Sequence, residues 1–248
     1  PKTELKKYLS LKLKEIYQND LEKLNLIFER RQPIFIPHNG HKFMRNRKMN
    51  LRSIYEYAIL SYLADFFFPN SMNNPAMGGL PISKIKDNLN TSIYHDDSVM
   101  IFDIFSCFEN TSGKDIARFL LSNSKKEINY GVTYALQILD TDLPMYMDNE
   151  FDKMFVSRFI ANLTDKFILE EKTEDIINAE IMIGVDEIAF YFKDRAFTGK
   201  ELHSFEKKFD KSIVTNTNSK LQLNKTKSKL INKDNIDALP WKELEVDY

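Results

Sequence analysis

FDKMFVSRFIANLTDKFIL, residues 151–169, decides the class of this chain. Phe151, Phe155, Phe159, Leu163 and Phe167 recur every fourth residue, with at least one charged or amide side chain in each gap. That spacing puts the large apolar groups on one helical face, so the stretch reads as a long amphipathic helix against a core. Upstream, Asn50 to Phe68 carries Leu51, Ile54, Tyr55, Ala58, Ile59, Tyr62, Leu63, Phe66 and Phe67. These cover more than half a helix circumference, which predicts burial on most sides. Asn50 is the expected cap, and Pro69 the stop.

Further outward the pattern continues. Thr3 to Arg31 reads as one long amphipathic helix ended by Pro33, with Leu5, Leu9, Leu13, Ile16, Leu24 and Phe28 near helical spacing. Residues 32–49, QPIFIPHNGHKFMRNRKM, read as a basic, irregular linker. NSMNNPAMGGLP (70–81) is a loop, and Ile82 to Asn90 a short helix. SVMIFDIFSCF (98–108) is strand-like in its β-branched and aromatic content. Ser112 caps a short helix to Ser122. Tyr130 to Ile138 fits both periods, and 175–197 alternates between helix and strand readings. The fold expected is mainly α with a minor β component. It comprises an N-terminal helix (1–31), the basic linker (32–49), a globular body (50–210) and an extended tail (211–248).

The tail is KSIVTNTNSKLQLNKTKSKLINKDNIDALPWKELEVDY. Its apolar residues are sparse and spaced through Asn, Lys, Ser and Thr. Such a segment buries too little surface to order itself. It is expected to dock, through Leu221, Leu223, Leu230, Ile231, Ile236, Leu239, Trp241 and Leu244, on a partner or a neighbouring copy. Trp241 is the expected chief anchor, because Trp buries the most area.

Composition bounds the rest. The chain has 248 residues, 43% hydrophobic and 12% aromatic, enough for a real core. No run of 18 apolar residues offers a membrane span, and the N-terminus lacks the apolar region of a secretory signal. The single cysteine, Cys107, in apolar company, excludes an internal disulfide and suits a reducing cytoplasm. Net charge is −1, but it is segregated. Residues 1–52 carry 13 Lys/Arg against 5 Asp/Glu; residues 140–194 carry 14 acids against 5 bases; residues 211–233 carry six Lys and no acid. Opposed blocks favour docking between copies.

Catalytic patterns fail on inspection. FENTSGKDI (108–116) has Phe where a phosphate loop needs its first Gly, and Asp115 where it needs Ser or Thr. His38-x-x-His41 has no further ligand pair, and His95-Asp96-Asp97 is too short a run to enclose an ion. The neighbouring acids Glu170-Glu171 and Asp186-Glu187 point apart on a helix. No nucleophile elbow is present. The expectation is of a non-enzyme without cofactor or metal. The linker from Arg30 to Arg52 is the best contact surface, with Arg45, Arg47 and Lys48 interleaved among Phe35, His38, His41 and Phe43. Such a loop grips phosphates or an acidic protein groove.

A leading basic helix, the aromatic segments FDKMFVSRF (151–159) and FYFKDRAF (190–197), no active site and an extended tail occur together in an Asn-, Lys- and Ile-rich chain. This combination resembles lower-collar or tail-connector proteins of the small short-tailed phages of Gram-positive bacteria. The resemblance implies a non-enzymatic virion protein, assembled in the host cytoplasm. It would form a ring and contact portal or tail proteins, with at most non-specific DNA contact. The resemblance carries no residue-level role; from the basic linker and the tail anchors themselves, the expected partner-binding residues are Arg45, Arg47, Lys48, Leu239, Trp241 and Leu244. The competing expectation is a nucleic-acid-binding replication or regulatory protein using Arg30 to Arg52. A third is an inhibitor of a host enzyme.

Overall fold

The computed structural model describes residues 34–37, 46–49, 54–69, 80–92, 96–124, 127–146, 150–217 and 220–239. The chain divides into two compact units, one from Pro1–Asn74 with Ser112–Phe155, the other from Pro75–Thr111 with Val156–Tyr248. The fold is mainly α with a minor antiparallel β component.

In the first unit, β1 (Ile34–Pro37) pairs antiparallel with β2 (Asn46–Met49). This corrects the irregular linker. IFIP is β-branched and aromatic, and an antiparallel partner satisfies backbone groups that a loop would leave to water. Helix α1 (Ile54–Phe67) follows, with Ala58, Ile59, Leu60, Leu63 and Ala64 buried, as its wide apolar arc predicts. The helix expected over 3–31 lies outside the described residues.

The second unit begins with α2 (Ile82–Thr91) and β3 (Ser98–Asp103). The strand expected to reach Phe108 stops at Asp103. Ser106, in the left-handed region at φ 45°, turns the chain into the short helix α3 (Cys107–Asn110). The chain then returns to the first unit with α4 (Gly113–Ser122), where Ser112 and Asp115 form a reciprocal capping box.

Next comes α5 (Tyr130–Leu139), which resolves the ambiguous stretch as helix. Asn129 caps it by accepting from the Val132 N–H, and Val132, Ala135, Leu136 and Leu139 are buried on one face. Gly113 sits where α4 meets the end of α5. A Cβ there would overlap the Leu139 carbonyl oxygen. The Gly113 and Lys114 amides donate to the Leu143 and Thr141 carbonyls, so the start of α4 spends its orphan donors on that segment.

Helix α6 (Glu150–Glu171) belongs to the first unit through Phe155 and to the second from Val156. Its expected face is buried throughout: Phe151, Phe155, Phe159, Leu163 and Phe167. The second unit continues with α7 (Glu174–Asn178), β4 (Glu180–Ile183), β5 (Glu187–Phe192), α8 (Gly199–Asn216) and β6 (Lys229–Asn232). A 3-10 helix, Lys233–Ala238, follows.

The four strands form one antiparallel sheet in the order β4-β5-β3-β6. Register puts Val99, Ile101, Ala189, Tyr191, Met182 and Ile231 on one face. There they meet Leu80, Ile85 and Leu89 of α2 and its approach, and Leu239. The other face is aromatic. Phe102 stacks on Phe205 of α8 with centroids 5.4 Å apart, Phe190 meets Phe205 at 5.0 Å, and Phe167 of α6 lies 4.7 Å from Phe209 of α8. Each ring is worth about 1.5–3 kcal/mol of burial, with roughly 0.5–1.5 more per well-oriented pair. β3 is therefore buried on both faces, which is why SVMIFD reads as a nearly continuous apolar run.

Candidate functional site

The expected tail is part of this unit. The boundary placed at residue 211 falls inside α8, whose buried face runs Phe205, Phe209, Ile213 straight through it. Thr198 and Glu201 form the capping box that starts this helix. Segment 220–239 then lies across the unit as a strap. The expectation that it needs a partner to order is corrected for these residues. The spaced anchors fit the chain's own body: Leu221, Leu223, Ile231 and Leu239 are each at most 3% exposed. Trp241 and Leu244 lie outside the described residues, as does Arg45. Arg47 and Lys48 stand in β2, in register with Ile36 and Phe35.

Backbone pairing starts before β6. Leu223 bridges Ile104 in antiparallel fashion; the Phe105 N–H donates to the Gln222 carbonyl (2.9 Å) and the Asn224 N–H to the Asp103 carbonyl (2.7 Å). β6 continues the alignment along β3, from Lys229 opposite Ile101 to Asn232 opposite Ser98. The 3-10 helix that follows is held by Asn232 and Asn235 in a capping box and by Asn235 Nδ2 donating to the Leu230 carbonyl.

Three carboxylates receive the strap's polar groups. Asp103, at the end of β3 and buried, accepts from Lys227 Nζ at 2.8 Å and from Asn224 Nδ2 at 3.1 Å. Glu206 of α8, also buried, accepts from the Ser228 hydroxyl at 2.6 Å, with the His203 ring 3.3 Å from its other oxygen. Asp210 accepts the Leu223 N–H at 2.7 Å. The hydrogen bond to Asp103 holds Lys227 above its ordinary pKa against the opposing effect of burial, and Asp103, Asp186 and Glu187 reinforce it by charge. The Lys227 side chain is 61% exposed, so the buried member is Asp103, whose carboxylate would be costly to leave without its donors.

A second buried carboxylate fixes the opposite end of β3. Asp97 accepts from Tyr191 Oη (2.5 Å) and the Asp194 N–H (2.7 Å). Burial pushes its pKa up. The Asp194 N–H, the Tyr191 and Ser92 hydroxyls and Lys193 outweigh that and hold it below the usual carboxylate value. Tyr191 is pushed up by burial and by Asp97. Cys107 is buried, and its thiol is driven strongly upward by that burial and by the charges of Asp186, Asp103 and Glu109. It is a poor thiolate nucleophile. His38, His41 and His95 lie outside the described residues. Among the described residues no group of three or more His, Cys, Asp or Glu is placed to hold a metal ion.

Reading the sequence missed Asp103, Glu206 and Asp210 as the strap's receptors. Asp103 had a signal: a lone acid inside the apolar run VMIFDIF needs a partner. Lys227 had none, being one of six Lys in its block. No protein-family model matches the chain, and no curated protein matches it in sequence. Among the described residues no helix is long and apolar enough to cross a membrane.

Proposed function

We propose that this chain is a non-enzymatic structural protein of a virion, a ring-forming collar or tail-connector component. One observation carries the reading. Five of the buried carboxylates, Asp97, Asp103, Asp115, Asp152 and Glu206, are engaged in holding the fold together. Asp97 ties β5 and the turn after it. Asp103 and Glu206 fasten the strap, Asp115 closes the cap of α4, and Asp152 accepts the Tyr146 N–H at 2.7 Å. Buried acids spent on backbone and side-chain anchorage suit a scaffold that must be rigid and bear neighbours. The segregated charge supplies complementary faces for such neighbours.

The alternative is a nucleic-acid-binding protein. The pairing of β1 with β2 favours it, because a two-stranded antiparallel ribbon carrying Arg47 and Lys48 matches an element that enters the major groove. Size-exclusion chromatography with light scattering separates the two. A closed high-order ring, alone or with virion partners, supports the collar reading. A monomer or dimer that binds DNA with a steep salt dependence overturns it.

A further inference from the structure

We propose that the outer face of α8, with the strap beside it, is a contact surface for the phosphate backbone of duplex nucleic acid. The surface belongs to the second unit and is separate from Arg47 and Lys48. It does not depend on ring formation, because a ring and a monomer both satisfy it.

The bonds of α8 assign its sides. Glu206 and Asp210 hold the strap on one side, and Lys208 and Ser212 reach Glu171 and Glu170 of α6 on the other. Phe205, Phe209 and Ile213 face the core. At about 3.6 residues per turn, the remaining outer sector carries Lys200, Ser204, Lys207, Lys211, Val214 and Thr215, all exposed and none acidic. The strap extends this sector: Lys220, Lys225 and Lys227 are exposed, and no acid stands between Lys211 and Lys233.

The positive charge is not cancelled by the chain itself. Residues 199–230 hold eight Lys against three acids, and each acid is already engaged. Glu206 accepts from Ser228, Asp210 from the Leu223 N–H, and Glu201 from the Thr198 N–H and Arg195. Among the described residues no carboxylate lies at ion-pair distance from Lys200, Lys207, Lys211, Lys220 or Lys225. Clustered cations without counter-charges raise the local concentration of anions.

Chemistry and shape select the occupant. Apart from His203 every cation here is Lys, a point charge that neutralises phosphate but lacks the planar fork for bidentate reading of a base. Of the exposed large apolar side chains among the described residues, only Val214 lies in 199–230. The surface therefore lacks the aromatic platform on which single strands stack. It equally lacks the aromatic anchor of a protein interface, where Lys is depleted, and the apolar groups that would enter a lipid surface. Lys200 to Lys211 spans about 17 Å of helix. Over that length a duplex presents about ten phosphate charges, at one per about 1.7 Å of its axis.

Fluorescence anisotropy of a labelled duplex of about 20 bp, titrated with the full chain at several salt concentrations, tests this. Six Lys contacts give a slope of log affinity against log salt of about −5. Two duplexes of unrelated sequence should bind alike, and a single strand of the same length more weakly. Lys200→Ala, Lys207→Ala and Lys211→Ala together place a good helix former at exposed positions, so the melting temperature should hold. The triple variant should bind at least about tenfold more weakly at about 0.1 M salt, with the slope flattened by about two to three. Should it fail to fold, Lys225→Ala in the strap carries the test, with a slope change of about one. A wild type that does not bind the duplex overturns the proposal. So does affinity lost through Arg47→Ala with Lys48→Ala but kept in the triple variant. A triple variant that keeps its DNA affinity and loses high-order mass by light scattering also overturns it, and assigns these lysines to the acidic block of a second copy. Light scattering on wild type reads the collar proposal separately. Rings whose triple variant loses DNA support both readings; the same loss without rings supports this one and removes only the collar.

Discussion

Asp97 shows how one side chain ties sheet to turn, and it sets an acid limit on stability. Its folded pKa lies below the unfolded value, so its contribution is present above the ordinary carboxylate value of 3.8. It is lost as pH falls through the lower folded value. Asp97→Asn keeps the shape and removes the charge. The variant should be less stable at pH 7, and its urea midpoint should fall less steeply than wild type between pH 4 and lower pH. Identical pH profiles for the two proteins would contradict the assignment. Gly113 makes a second residue-scale case. Gly113→Ala must push the α4 start away from Leu139, at a cost of about 1–3 kcal/mol by thermal melting. An unchanged melting temperature would show that the crossing yields freely.

At the scale of elements, α1 and the strap make contrasting predictions. Leu63 is fully buried in α1, so Leu63→Ala should cost roughly 2–5 kcal/mol in chemical denaturation. Ending the chain after Thr217 removes β6, the Lys227 key and four buried anchors. The product should lose cooperative unfolding of the second unit and bind hydrophobic dye, instead of remaining an intact body. A truncated chain that melts like the full one would show the strap to be dispensable. Much of this level was legible beforehand. The i, i+4 row of Phe in α6 and the wide apolar arc of α1 specify helix and burial by themselves. So does the capping box of α4. What escaped was local chemistry outweighed by pattern. Tyr130 to Ile138 alternates like a strand, yet Asn129 supplies the cap that starts a helix. The Thr198–Glu201 capping box that starts α8 was not recognised in the sequence, and the polar composition after Lys211 concealed that the helix continues. Strap pairing was not legible at all, since it joins β3 to residues more than a hundred positions later, and no local signal encodes that distance.

For the whole molecule, charge separates the functional readings. Arg45, Arg47 and Lys48 changed together to Glu should abolish high-order assembly if the basic block docks on the acidic one. The measurement is the sedimentation or light-scattering mass of wild type and variant. Unchanged assembly accompanied by lost DNA affinity would transfer the function to nucleic acid. The candidate site was half legible. The spaced apolar anchors of the last segment were visible in sequence; the carboxylates that receive its polar groups, Asp103, Glu206 and Asp210, were not, because they are recognised only when β3, α8 and the strap meet.

The position of β3 at the centre of the sheet has a consequence in time. It is made early, at residues 98–103, but its neighbours are residues 187–192 and 229–232. Between them the ribosome delivers 112–155, which belongs to the other unit. At about 5–20 residues per second, β3 waits on the order of ten seconds for its first ladder partner. During that interval an apolar strand, both of whose faces end up buried, has nothing to pair with. The nascent chain should therefore bind chaperones most strongly in that window, and slowing translation between 104 and 186 should lower the yield of native protein.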